Sequence, residues 1–192
     1  LTARYFRLIF LFFFSTIQVT GGGFPLEHRI KTIDELTLMD DYMFAQVMRD
    51  TRHLKPLLQF ILQVPIAKIE LIEPQNDISI LRPGVDYKEL RKTFVIFICN
   101  YDPFGKNRYV YTFENTCREV PGLLFGDETV KVIVNTRGEI GEISEELKEV
   151  IRYLNDGTIS GQYSQELDTA VNAVKSNEER RLEYMTLAMH DM

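Results

Sequence analysis

With 192 residues and 45% hydrophobic content, the chain can bury one domain-sized core, and its apolar N-terminal run is far shorter than the ~20 residues that span a bilayer. A formal net charge of −6, from 28 acidic and 22 basic side chains, excludes a whole-surface attraction to phosphate; nucleic-acid contact then needs a local patch. Two cysteines without a Cys-x-x-Cys exclude a disulfide framework and suit a cytoplasmic, reducing setting, with Cys99 an inert residue inside an apolar run.

Arg4 and Arg7 precede the apolar run Leu8 to Phe14, which imitates the front of a secretory signal without an Ala-x-Ala cleavage site. Translated upstream sequence, with a start near Leu26, accounts for it more simply than a signal or a membrane-surface segment. No stable membrane association is expected. Gly21-Gly22-Gly23 marks a boundary, so 1–32 reads as an N-terminal extension.

Thr37 is a helix-start signal, with Asp40 and Asp41 in the first turn where the helix dipole favours negative charge. Apolar positions at helical spacing predict an amphipathic helix over Leu38 to Arg49 and a second over Leu54 to Gln63, with Pro56 in its first turn and Pro65 ending it. Lys68 to Glu73 reads as a short strand. Thr93 to Cys99 is apolar at seven consecutive positions, which predicts a strand buried on both faces. Asp102-Pro103-Phe104-Gly105 supplies a turn, and Arg108 to Phe113 alternates into a hairpin partner for that strand.

Further on, Thr129 to Asn135 predicts another strand, turned at Arg137-Gly138. Ser144 caps a helix that carries Leu147, Val150, Ile151 and Leu154 and stops at Asn155-Asp156-Gly157. From Gln165 onward, Leu167, Val171, Val174 and Leu182 predict one long or two joined helices with a break near Ser176-Asn177. That stripe offers a dimer seam, although such stripes ordinarily pack on their own domain.

Three segments, LTLMDDYMFAQVMRD (Leu36 to Asp50), IEPQNDIS (Ile72 to Ser79) and DYKELRKTFVIFICNYDPFGKNRYVYTFEN (Asp86 to Asn115), closely resemble the bacterial recombination-promoting nuclease and transposase-like family of the PD-(D/E)XK superfamily. The resemblance runs from about Ile33 to the end of the chain. It implies an α/β fold, with a mixed sheet flanked by helices over 33–156 and a helical C-terminal part over 157–192. It also implies magnesium as cofactor, DNA as partner and endonuclease activity promoting recombination. In the family, a few dozen residues between the second and third segments hold a hairpin with the metal-binding Asp, a Glu-x-Gln motif and a helix. Here Ser79 runs directly into Ile80-Leu81-Arg82-Pro83-Gly84. The implied fold is therefore a reduced one, and the loss is expected to expose apolar faces of Phe94 to Cys99.

Such a nuclease needs two carboxylates converging on Mg²⁺ and a Lys or Gln beside the attacking water. Asp77 followed by Asp86-Tyr87-Lys88 fits the spelling, yet Asp86 and Tyr87 match the segment downstream of the family's site, and Pro83 disfavours a central catalytic strand. Glu146-Leu147-Lys148 fits too, on a helix where the charges diverge. Asp40 and Asp41 lie about 100° apart around a helix and cannot jointly hold one ion. No catalytic, cofactor-binding or metal-binding residue is assigned. There is no phosphate-binding Gly-rich loop, no Gly-x-Ser-x-Gly and no His-Glu-x-x-His, and His28, His53 and His190 are scattered. Lys88, Arg91, Lys92, Lys106 and Arg108 are the candidates for phosphate contact, against the plainer reading that they are solvated charges at strand ends.

Overall fold

The structure, a computed structural model, describes residues 7–10, 30–67, 69, 93–127 and 129–190. They divide into two compact units, the first containing the sheet and its loops through Glu142, the second containing Ile30 to Phe60 and the residues from Ile143 onward.

The first unit holds β1 (Arg7–Phe10), β2 (Thr93–Cys99), β3 (Val110–Glu114) and β4 (Thr129–Asn135) in the order β1-β2-β4-β3. β1, β2 and β4 run parallel, and β3 is antiparallel to β4. With its helices, the chain is an α/β protein. Part of the N-terminal extension thus pairs with the sheet: Arg7 stands beside Thr93 and Phe10 beside Ile96.

Two expectations are corrected here. β3 is not the hairpin partner of β2, because β4 lies between them with Phe94 beside Val130 and Ile98 beside Val134. The two most apolar strands gain most from central positions, where both edges are paired, and the more exposed β3 is left on the outside. Nor is β2 buried on both faces. Phe94, Ile96 and Ile98 are buried, whereas Thr93, Val95 and Phe97 on the alternate face are half-buried. An unbroken apolar run fixes a strand but not how many of its faces are covered. The exposure expected over Phe94 to Cys99 is thus absent at Phe94, Ile96, Ile98 and Cys99, which are buried, and partial at Val95 and Phe97.

The second unit opens with a 3-10 turn, Ile33–Glu35, where the Thr32 backbone N–H donates to Glu35 Oε2 at 2.8 Å. Its helices are α1 (Asp41–Met48), α2 (Thr51–Leu62), α3 (Glu145–Asp156), α4 (Gln162–Ser176) and α5 (Glu178–His190), with the division between the units falling in the last turn of α2. α1 starts later than predicted because the Asp40 carboxylate turns back to accept from the Thr37 N–H (2.7 Å) and hydroxyl (3.0 Å), closing a turn ahead of the helix. α2 starts earlier, at Thr51. Asp50 caps it through Oδ1 and the Arg52 N–H, so Pro56 stands inside the helix and not in its first turn. Lacking an N–H, Pro56 cannot donate to the Arg52 carbonyl.

α3 follows the sequence closely, with Ser144 Oγ accepting from the Leu147 N–H and Gly157 ending the helix at φ 74°. Met43, Phe44 and Val47 of α1, Leu147, Val150 and Ile151 of α3, and Leu167 and Val171 of α4 are buried. Leu167 and Val171 therefore sit in this core, while Leu182 is 65% exposed, so the stripe proposed as a dimer seam is not one continuous exposed face.

Candidate functional site

The carboxyl ends of β2 and β4 are held together by a buried polar junction. Asn135, fully buried, donates from Nδ2 to the Arg108 carbonyl (3.1 Å) and accepts at Oδ1 from the Arg137 N–H (2.9 Å), while the Thr136 N–H reaches the Cys99 carbonyl (2.9 Å). The Tyr109 N–H donates to the Ile140 carbonyl, and the Ile140 N–H to the Asn107 carbonyl. Gly138 lies so close to this strand entry that a Cβ on it would come within 2.6 Å of Arg108 and Tyr109 backbone atoms. Residues 106–108 and 137 are thereby brought to one end of the sheet, far apart as they are in sequence.

Asp102 organises the adjoining turn. Its carboxylate accepts from the Phe104 N–H (3.0 Å), the Asn107 N–H (2.5 Å) and the Tyr111 hydroxyl (2.7 Å), and Gly105 and Asn107 take positive φ. Desolvation pushes this carboxyl upward, but the Tyr111 hydroxyl and the turn amides outweigh it and bring the pKa to about 2. A depressed carboxyl pKa means that its contribution to stability is complete above the unfolded value of 3.8 and is lost as the pH falls through about 2. The amide resonances of Phe104 and Asn107 should therefore titrate together with a midpoint of about 2. A midpoint at 3.8 would show that the turn does not hold the carboxylate.

The turn sets Phe104 against two rings of β3, with centroids 4.8 Å from Tyr111 and 5.0 Å from Phe113. Phe113 stands directly opposite Lys131 of β4, and directly opposed residues project to the same face of a sheet. Phe104 is 44% and Phe113 42% exposed, and Lys106, Arg108, Lys131 and Arg137 are exposed as well.

Of the five sequence candidates for phosphate contact, Lys106 and Arg108 lie among the described residues, both exposed. Lys88, Arg91 and Lys92 lie outside the described residues, as do Asp77, Asp86 and the predicted strand over Lys68 to Glu73 apart from Ile69. Lys131, Arg137 and the aromatic cluster escaped the sequence, although the period-2 pattern of β3 does put Tyr111 and Phe113 on one face.

The remaining candidates are occupied structurally. Asp40 also pairs with Lys31 at 2.6 Å. Burial and the neighbouring Asp40 charge push the Asp41 carboxyl up. On α3, Lys148 pairs with Glu145 (2.7 Å) and Leu147 is buried between the Glu146 and Lys148 positions, as expected of a solvated helix face. A cavity of about 270 Å³ in the second unit is lined by His53, Gln165, Glu166, Thr169, Ala170 and Ala173, with Glu166 already accepting from Gln162. Among the described residues, no three His, Cys, Asp or Glu side chains form a group suited to a cation, so none is assigned to magnesium. No helix among them is long and apolar enough to cross a membrane. Comparison of the chain with family models, with curated proteins and with solved structures finds no match.

Proposed function

We propose that the chain is a DNA-binding protein derived from the recombination-promoting nucleases, related to Mg²⁺-dependent DNA endonucleases of the PD-(D/E)XK type, with phosphodiester hydrolysis weak or lost in this copy. One observation carries the proposal. The segments Leu36 to Asp50, Ile72 to Ser79 and Asp86 to Asn115 keep the family's order, while Ser79 meets Ile80 where the family carries its metal-binding Asp and Glu-x-Gln. The α/β class and the parallel pairing of β2 with β4 are compatible with that descent. Hydrolysis of a phosphodiester requires carboxylates that hold a divalent ion, which polarises the phosphate and lowers the pKa of the attacking water. Without them, a protein of this descent can still bind DNA or a sibling nuclease.

Supercoiled plasmid incubated with Mg²⁺ and a large molar excess of the protein should remain intact beside an active full-length relative. Nicking by the 192-residue chain, abolished by Asp77→Ala or Asp86→Ala, would show instead that a substitute metal site has formed.

A further inference from the structure

We propose that the outer edge of β3 binds a second copy of this chain, with the two β3 strands antiparallel about a two-fold axis at Thr112, so that two four-stranded sheets join into one. This pairing stands on the sheet alone and is independent of the nuclease-derived reading.

The backbone presents the edge. β3 is an outer strand, and among the described residues no strand lies beyond it. The Asn135 N–H donates to the Tyr109 carbonyl (2.8 Å), and in an antiparallel ladder bonded and non-bonded positions alternate. Tyr111 and Phe113 therefore turn their N–H and C=O to β4, while Val110, Thr112 and Glu114 turn theirs outward. Edge strands are ordinarily kept from pairing by Lys, Pro or a bulge. β3, Val-Tyr-Thr-Phe-Glu, has neither Lys nor Pro, its register against β4 runs without a break, and its single charge is Glu114.

The occupant follows from register. When two β3 strands meet with Thr112 opposite Thr112, Val110 of each copy stands opposite Glu114 of the other, and every outward-turned residue of the strand meets an outward-turned partner. Any other register pairs fewer of them, and one of those sets Glu114 against Glu114. The Thr112 register also brings Tyr111 of each copy opposite Phe113 of the other, at non-hydrogen-bonded positions where side chains stand closest. Phe104, 44% exposed, already lies against both rings, and Phe113 is 42% exposed. Two exposed aromatic clusters then cover each other.

A five-residue edge, about 17 Å long and about 10 Å thick, is much smaller than the ~800 Å² that each partner of a stable dimer covers. The rest has to come from the two ends of β3. The strand starts from the Asp102 turn and runs into a hairpin closed by the Cys117–Leu123 and Phe125–Asn115 hydrogen bonds, so antiparallel pairing sets the hairpin of each copy beside the turn of the other. That hairpin exposes Val120, Leu123 and Leu124, each by more than half, and the turn exposes Phe104. Both ends carry acids and bases, Lys106 and Glu139 at the turn and Arg118 and Glu119 at the hairpin, so no single-sign repulsion opposes the approach.

Sedimentation equilibrium between about 1 and 500 µM reads the association, and amide hydrogen exchange at the two ends of that range reads its place. The expected result is a monomer–dimer equilibrium in which the Val110, Thr112 and Glu114 amides gain protection as concentration rises, while the Tyr111 and Phe113 amides, already bonded to β4, do not change. Thr112→Glu sets four carboxylates around the axis, two of them Glu114, and should weaken association at least about tenfold. Thr112 is exposed, so the urea midpoint of the dilute variant should hold. A labelled Thr112→Glu chain should regain association when titrated with Thr112→Lys, because opposite charges then face each other across the axis. A chain that stays monomeric over the whole range, a dimer that leaves the three outward amides unprotected, a Thr112→Glu variant that associates like the parent, or failure of the charge-swapped mixture to associate overturns the proposal.

Discussion

Replacing Gly138 by alanine should destabilise the first unit by about 1–3 kcal/mol or more, a large loss for one methyl group. The cause is crowding, and no special backbone angle is involved. The added carbon would sit 2.6 Å from the carbonyl carbon and oxygen of Arg108 and from the Tyr109 Cα, all of them backbone atoms that no side-chain rotation can clear. Relief requires moving the segment that the Tyr109–Ile140, Asn107–Ile140 and Asn135–Arg108 hydrogen bonds hold in place. Urea denaturation should show a lower midpoint, and hydrogen exchange should accelerate at the Tyr109, Asn135 and Ile140 amides. An unchanged midpoint with unchanged exchange would mean that the turn at Arg137 is looser than its geometry.

Phe44→Ala should be the most damaging change in the second unit, costing about 3–5 kcal/mol. Phe44 is fully buried in α1, which packs on α4, and truncation removes a whole ring from a core that also buries Met43, Val47 and Leu167. Domains of this size have total stabilities of about 5–15 kcal/mol, so the variant should be substantially unfolded at moderate urea concentrations. Far-UV circular dichroism against urea measures the loss, and accelerated exchange concentrated in α1 and α4 would locate it. A loss below about 1 kcal/mol would show that the site collapses around the cavity, or that this core is not the one that stabilises the helices.

The polar face of the same unit is held differently. The Tyr42 hydroxyl donates to the Arg180 carbonyl (2.8 Å), Tyr184 to the Lys31 carbonyl (2.9 Å), and Arg181 pairs with Asp34 (2.7 Å). Burial, followed by the Glu183 charge, raises the Tyr42 pKa to about 12. These contacts fix where α5 lies, and their exposed ion pairs each contribute little to stability.

What the sequence determined by itself was whatever depends on residues within a few positions of one another. Thr129–Asn135 is the strand its apolar pattern predicts, and Ser144 and Gly157 bound α3 through a cap and a left-handed stop. The break between α4 and α5 falls at Asn177, whose Oδ1 accepts from the Arg180 N–H. Helix caps and strand periodicity involve chemistry only a few residues long, so they can be read from letters.

Only the tertiary structure decided which strand lies beside which and which face is covered. Nothing local in β2, β3 or β4 says that β4 lies between the other two, because pairing order follows from the burial gained by the whole sheet. For the same reason Lys106 and Arg108 were visible as cations in the sequence, whereas their company was not. Bringing Arg137 to Arg108, and Lys131 opposite Phe113, takes the hydrogen-bonded register of strands separated by long loops. Spacing along the chain does not encode that register.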